Sequence, residues 1–361
     1  MKTLNGVLLL LIITFAFLQS AQSQDQSGFI SLDCGLVPKD TTYTEKTTNI
    51  TYVSDGNHID SGVVGKIDET LRTQFQQQAW NLRSFPEGER NCYNFNLTRN
   101  QKYLIRGTFV YGNYDGLNQL PSFDLHIGST KWASISIRGV ATGSIREIIH
   151  VLTQDRLQVC LVKTGVTTPF ISSLELRPLN NGTYVTQTGS LMLVSRVYFS
   201  PSPSFIRYDE DIHDRVWMPY VGAKTSSLRT DLEVDTSNLY KVPQLVAKTA
   251  MIPANPSEAL SLEWTLAGIT AQSYIYMHFA EIQNLEANEI REFNITYNGG
   301  LNWFSFFRPA KLSVTTIFNP RAVSSPDGRF KFTFAMTGNS TLPPLINALE
   351  IYKVLDFPSD A

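Results

Sequence analysis

The amino-acid sequence contains an internal repeat that covers most of its length. Residues 155–165 (DRLQVCLVKTG) align with residues 328–338 (GRFKFTFAMTG) at an offset of 173 positions. The offset drifts between 171 and 175 on either side, as two small insertions would cause; the pairs are Tyr103 with Tyr274, Gly128 with Gly299, Trp132 with Trp303 and Pro169 with Pro344. A repeat of this length predicts that the chain consists of two copies of one module.

Short alternating strands dominate both copies. In RFKFTFAM, Phe330, Phe332, Phe334 and Met336 fall on one face of a strand, and polar or small residues fall on the other. Turn sequences such as DGN, NNG, NGG and PDG separate such segments, and no long helical period interrupts them. The pattern predicts an all-β protein with one β-sandwich, of a jelly-roll-like type, in each module.

The N-terminus has the pattern of a secretory signal peptide. Lys2 precedes an apolar run at residues 7–18, and Ala21-Gln22-Ser23 supplies a small-residue cleavage site. The run falls short of the roughly 20 residues that span a bilayer, and no later run reaches that length. The predicted organisation is a signal peptide at 1–23, a first module at 24–180, a linker at 181–190, a second module at 191–355 and a C-terminal tail at 356–361.

The charge balance and the glycosylation sequons indicate the location of the protein and its class of partner. Loss of Lys2 leaves 29 of the 30 basic residues against 32 acidic ones, without a basic stripe, so neither nucleic acid nor an anionic membrane is predicted as a partner. Five N-x-[ST] sequons behind a signal peptide predict a secreted or cell-surface glycoprotein. The predicted glycosylation sites are Asn49, Asn96, Asn181, Asn294 and Asn339.

All three cysteines, Cys34, Cys92 and Cys160, lie in the first module. In an oxidising compartment this count predicts one disulfide and one unpaired thiol, and it leaves open which two cysteines pair. The sequence has no C-x-x-C motif and no Cys–His cluster, so neither a zinc site nor any cofactor is predicted.

Residues 207–217 (RYDEDIHDRVW) place four carboxylates between two arginines and Trp217. A pair of catalytic carboxylates would need two opposed environments, which neighbours on one loop rarely have. We therefore predict an Asp/Arg network that anchors this loop against Trp217. The histidines lack metal-ligand spacing, and no nucleophile elbow or phosphate loop is present, so no enzyme activity is predicted.

The loop in FVYGNYDGLNQLPSF (109–123) offers a candidate binding surface. Tyr111, Tyr114 and Asp115 combine aromatic rings with a carboxylate, an arrangement that holds sugars through ring and hydroxyl contacts and that serves protein interfaces equally well. Packing of the loop onto its own module is the alternative. Loops on a rigid scaffold often carry function, so these three residues are the predicted ligand-binding residues.

Six motifs together resemble the malectin-like ectodomain of plant leucine-rich-repeat receptor kinases. The resemblance extends over residues 28–352, with the motifs in the family's order. They are SLDCG (31–35), WNLRSFPEGERNCY (80–93), PFISSLELRPL (169–179), RYDEDIHDRVW (207–217), HFAEIQNLEANEIREFNITYNG (278–299) and LPPLINALEIY (342–352).

The resemblance implies two tandem malectin-like sandwiches, side by side with a cleft between them, that recognise a ligand outside the cell. The implied partner is an extracellular peptide or a receptor-kinase ectodomain, and the alternative is a carbohydrate; a glycoside hydrolase is a remote third. The sugar-stacking aromatics of animal malectin would fall on Gln283 and Asn284 in the second module, neither of which is aromatic. In the first module, one of the matching positions is aromatic, Tyr114. Repeats, a membrane span and a kinase follow in longer relatives, so this is either a short secreted member or a fragment.

Overall fold

The structure, a computed structural model, describes residues 26–268 and 271–357. Its regular structure is almost entirely β-strand, which confirms the predicted all-β class. Within these residues the helices are one α-helix, α1 (Gln244–Ala247), and the 3-10 helices Asp55–Asn57, Glu69–Gln74 and Gln77–Ala79. The predicted signal peptide, 1–23, lies outside the described residues, as does most of the predicted tail.

The first half of the described chain, residues 26–179, forms what we call the first sandwich. Its strands are β1 (Ile30–Asp33), β2 (Thr42–Thr44), β3 (Thr51–Ser54), β4 (Val63–Lys66), β5 (Asn81–Ser84), β6 (Arg90–Asn96), β7 (Lys102–Val110), β8 (Ser122–Ile127), β9 (Thr130–Ser136), β10 (Gly143–Val151), β11 (Arg156–Lys163), β12 (Phe170–Ile171) and β13 (Ser173–Leu179).

Residues 190–357 form the second sandwich. Its strands are β14 (Ser190–Phe199), β15 (Met218–Tyr220), β16 (Thr225–Arg229), β17 (Thr249–Pro253), β18 (Leu260–Thr265), β19 (Ser273–Phe279), β20 (Phe293–Tyr297), β21 (Leu301–Phe307), β22 (Thr315–Phe318), β23 (Arg329–Met336) and β24 (Ala348–Leu355).

One long sheet runs through both sandwiches. Its order is β2-β3-β1-β13-β7-β10-β14-β24-β19-β22, with β15 paired to β14. The two halves meet where β10 and β14 run antiparallel, with Ile148 opposite Met192 and Ile149 opposite Leu191. The sandwiches therefore share backbone hydrogen bonds and do not touch through side chains alone.

The internal repeat corresponds to a duplication of strand order. In the long sheet, β1-β13-β7-β10 is followed by β14-β24-β19-β22, and the facing four-stranded sheets are β6-β11-β8-β9 and β18-β23-β20-β21. The repeated glycines Gly128 and Gly299 both have positive φ in the turns before β9 and β21, a conformation that costs glycine little. The alternation in β23 is confirmed, because Phe330, Phe332 and Phe334 are buried in the second core.

Residues 180–189 join β13 to β14 and are held in place by both sandwiches. The Lys102 ammonium donates to the carbonyl oxygens of Asn181 and Thr183. The Tyr184 side chain is buried, and its hydroxyl donates to Glu350 at 2.8 Å. The predicted division of the chain into two domains and a linker stays a prediction, because one sheet runs through both sandwiches and marks no boundary between them.

The cysteines resolve the pairing that the sequence left open. Cys92 on β6 and Cys160 on β11 lie opposite each other in the ladder and form a disulfide. Cys34 is buried with a free thiol. Among the described residues, no helix is long and apolar enough to cross a membrane.

Candidate functional site

A cleft of about 710 Å³ opens between the two sandwiches. The first sandwich contributes Thr47, Thr48 and Gln76 to its lining. The second contributes the chain that follows β14, residues 200–210, and the region around α1. Because both repeats supply its walls, the cleft exists only in the assembled pair of sandwiches.

The walls of the cleft combine apolar and charged side chains. Phe205 and Leu245 are exposed over 46% and 44% of their surface. Around them stand hydroxyl groups from the SPSPS segment (200–204) and charges of both signs, including Arg229 and Glu210. Ligand sites in proteins are mostly apolar with a few placed polar groups, and this lining has that character.

Arg207 and Tyr208 form the floor of the cleft and are fixed from both sides. Arg207 donates to Gln76 Oε1 of the first sandwich at 3.1 Å and to Asp214 of its own. The Tyr208 ring is buried against Phe29, with 5.6 Å between ring centroids. A ligand in the cleft would therefore meet a preorganised surface.

Asp214 is the centre of the charged network beneath this floor. Its carboxylate accepts hydrogen bonds from Arg106 at 3.0 Å, Arg177 at 2.8 Å and Arg207 at 2.8 Å. Burial by itself would raise the pKa of Asp214, but the three guanidinium groups hold it well below its ordinary value. The same guanidinium groups also bind the buried carboxylate of Glu175.

The network continues across the long sheet as a row of alternating charges. From β13 to β24 the row reads Glu175, Arg106, Glu147, Arg196 and Glu350, all buried. The Arg196 guanidinium of the second sandwich lies 2.7 Å from Glu147 of the first. A buried charge is tolerated only when it is paired, so these residues bind the two sandwiches to each other.

The predicted network around Trp217 is present. The indole nitrogen of Trp217 donates to Asp211 Oδ2 at 2.7 Å, and the Arg215 guanidinium lies 2.8 Å from the same oxygen. Asp211 is fully buried, and Arg215 stacks over the indole ring. The acidic run therefore acts as the anchor that carries the cleft floor.

The predicted ligand-binding residues Tyr111, Tyr114 and Asp115 lie apart from the cleft lining. Tyr111 is buried, and its hydroxyl donates to Asp115 Oδ1 at 2.6 Å. Burial raises the pKa of Tyr111 to about 12. Tyr114 is half-buried, with its ring 5.7 Å from that of Phe170. The loop thus packs largely on its own sandwich, and a carbohydrate role for it remains a prediction that depends on Tyr114.

Four of the five sequon asparagines are exposed and Asn294 is half-buried, and their glycosylation stays a prediction. The resemblance implies a cleft, but the predicted ligand-binding residues do not line it, and residues 207–210, which do, are predicted only as part of the Asp/Arg network. Phe205 and Leu245 carry no local signal, since a single apolar residue in a loop looks the same whether or not it faces a ligand.

Solved structures of other proteins share the architecture of this chain. The ANXUR2 extracellular domain from Arabidopsis thaliana matches with a TM-score of 0.73 at 18% identity, over 92% of this chain and 97% of that one. The plant complex of the peptide RALF23 with FER and LLG2 matches with a TM-score of 0.68 at 14% identity, over 91% of this chain and 96% of the matched one. These likenesses show the fold, which is a tandem β-sandwich.

The sequence comparisons identify the family. The model of the malectin-like domain matches residues 32–354. The probable LRR receptor-like protein kinase At1g51890 of Arabidopsis thaliana is 71% identical over 96% of this chain, and the LRR receptor-like serine/threonine-protein kinase IOS1 of the same plant is 48% identical over 96%. The chain belongs to the malectin-like family, which confirms the resemblance. It spans 40% of the first relative's length and 39% of the second's.

Proposed function

We propose that this chain is an extracellular, non-enzymatic recognition module that binds a peptide, free or presented by a partner receptor ectodomain, in the cleft between its two sandwiches. The observation that carries this proposal is the cleft itself, with Phe205 and Leu245 exposed above a fixed floor. Exposed apolar side chains in a concave site are the positions where a partner gains most on burial.

The similar proteins support this choice of ligand. Relatives that match nearly the whole chain are named receptor-like protein kinases, and one structure with the same fold was solved with a peptide and a further protein. The Cys92–Cys160 disulfide supports a site of action outside the reducing cytosol. Four exposed sequon asparagines favour the same location.

Selection of a binding peptide would test the proposal directly. The secreted, folded chain would be used to select binders from a displayed library of short linear peptides, and the dissociation constant of an enriched peptide would be measured. We expect Phe205→Ser and Leu245→Ser each to weaken binding about tenfold or more, because each removes an exposed apolar contact from the cleft lining.

A matched control is Leu301→Ser on β21, which removes a side chain that is 65% exposed but does not line the cleft. This variant should bind as tightly as the wild type. Equal binding by all three variants would place the peptide elsewhere and contradict the proposal. Failure to select any peptide, combined with retention on a carbohydrate array, would favour the sugar-binding alternative.

A further inference from the structure

The edge strand β21 turns an aromatic ring outward beside a sequon asparagine. The backbone N–H of Phe306 donates to Asn294 Oδ1 on β20 at 2.9 Å. The Phe306 side chain is 68% exposed. The ladder between β20 and β21 changes register on both sides of Ile295, next to this contact. The bulge is what brings the backbone of Phe306 and the Asn294 amide together.

Two unfavourable features coincide at Phe306. Its φ of +52° lies in the left-handed region, which is strained for a bulky residue. Its ring is exposed to solvent on a strand that forms the free edge of the four-stranded sheet, where an apolar residue favours unwanted association. A permanent cover for the ring would offset the second of these costs.

The Asn294 side chain is oriented for modification. Its Oδ1 is occupied by the Phe306 N–H, whereas its Nδ2 donates no hydrogen bond within the described part of the chain. Asn294-Ile295-Thr296 is a sequon, and Nδ2 is the atom to which N-glycans are attached. By contrast, Nδ2 of Asn181 donates to the Asn100 carbonyl at 3.1 Å.

We propose that Asn294 carries an N-glycan whose first N-acetylglucosamine packs its C–H face on the ring of Phe306. In the modification, C1 of that sugar forms a bond to Nδ2 while its bond to a lipid-pyrophosphate donor breaks, and Nδ2 gives up one proton. The hydrogen bond that Asn294 Oδ1 accepts from the Phe306 N–H fixes where the sugar begins, and the ring supplies the flat apolar surface that sugar C–H groups contact. The glycan also covers the free edge of β21.

The test combines site mapping with a double-mutant cycle on protein secreted from plant cells. Glycopeptide mass spectrometry should find Asn294 occupied. Thr296→Val removes the sequon but keeps Asn294, and we expect it to lower the melting temperature by about 2 °C, the scale of one aromatic contact in a domain of this size. It should also raise the binding of a hydrophobic dye.

Phe306→Asn completes the cycle, because asparagine tolerates positive φ and presents no ring. In that background Thr296→Val should leave the melting temperature and dye binding unchanged. The same Thr296→Val change in unglycosylated protein refolded from bacteria corrects for the valine itself. An unoccupied Asn294, or equal effects of Thr296→Val with and without the Phe306 ring, would overturn the proposal.

Discussion

Arg106 of the first sandwich and Asp214 of the second form a buried ion pair, with 3.0 Å between Nη1 and Oδ2. Both side chains are essentially inaccessible to solvent. The pair lies below the cleft floor, because Asp214 also accepts a hydrogen bond from the Arg207 guanidinium, whose other amino group donates to Gln76. The shape of the cleft and the junction of the sandwiches therefore depend on the same charges.

Asp214→Asn should destabilise the whole chain. The change leaves three buried guanidinium groups with too little negative charge, and loss of one partner of a buried network costs about 3–5 kcal/mol of unfolding free energy. Urea unfolding followed by tryptophan fluorescence measures the effect. The exposed Asp231, 3.8 Å from Arg229, provides the control, and Asp231→Asn should leave the midpoint unchanged. Similar midpoints for both variants would contradict the network's role.

Stability should fall on acidification through His150. Burial lowers the pKa of His150 to about 4, below the value near 6.5 expected in the unfolded chain. The contribution of His150 to the free energy of unfolding is complete above pH 6.5. It is lost as the pH falls from 6.5 toward 4, because only the unfolded chain takes up the proton in that range. The total loss is about 3 kcal/mol. His150→Gln, which can keep the bond to Ser190, should flatten this dependence.

Asp33 should show the opposite sign and serves as the comparison for His150. Burial raises the pKa of Asp33 to about 7 despite hydrogen bonds from Tyr43 and Asn81. Its contribution is present below the unfolded pKa near 4 and is lost as the pH rises through 7. Compared with the wild type at the same pH, Asp33→Asn should therefore be more favourable to stability at pH 8 than at pH 5. Unfolding midpoints of the wild type and both variants should be measured across this pH range. A change of stability with pH in the opposite direction would contradict the prediction for that residue.

Thiol labelling should distinguish Cys34 from the other two cysteines. Cys34 is inaccessible, and burial raises the pKa of its thiol well above the ordinary value. The native protein should therefore take up no label, the denatured protein one, and the denatured and reduced protein three. Mass spectrometry gives the counts. Three labels before reduction would mean that the Cys92–Cys160 disulfide had not formed.

Tyr111 and Tyr114 should respond differently to truncation. Tyr111→Ala removes a buried core ring and should lower stability by about 3 kcal/mol or more. Tyr114→Ala should affect stability less, and any retention of the protein on a glycan array should disappear with that ring. Asn284→Ala, at a position without an aromatic, is the control. Glycan retention that survives Tyr114→Ala would rule out this loop as the sugar site.

Proteolysis should cut the chain without separating its halves. The exposed segment at 201–205 is the expected nicking site, whereas 180–189 is held by Lys102 and Tyr184. The nicked protein should elute from gel filtration as one species and separate only in denaturant, because β14, before the cut, stays paired with β24, after it. Native elution as two species would show that this pairing does not hold the fragments together.

Strands could be predicted from the sequence because their signal is local. The alternation of Phe330, Phe332 and Phe334 needs only neighbouring residues, and the repeat then relates each strand to its copy. The charged row could not be predicted, because Glu175, Arg106, Glu147, Arg196 and Glu350 lie far apart along the chain and meet only through sheet order. Their polar identity even favoured exposure, since single charges are rarely buried without partners.

The site was harder to predict than the fold for a related reason. The aromatic and acidic composition of the loop 109–123 favoured Tyr111 and Tyr114, yet a tyrosine that fills a core and one that holds a ligand look the same in sequence. Only burial separates them, and Tyr111 is buried. The acidic run 207–217 was correctly interpreted as an anchor because so many opposite charges in one segment can satisfy each other.

The pairing of β10 with β14 has a consequence for how a bound ligand could be reported. Proteins that close around a ligand usually rotate two domains about a few flexible hinge residues. Here such a rotation would break the sheet hydrogen bonds and separate Arg196 from Glu147. Domain closure is therefore not available to the cleft, and under the proposed function a bound peptide would be reported through the composite surface that peptide and protein form together.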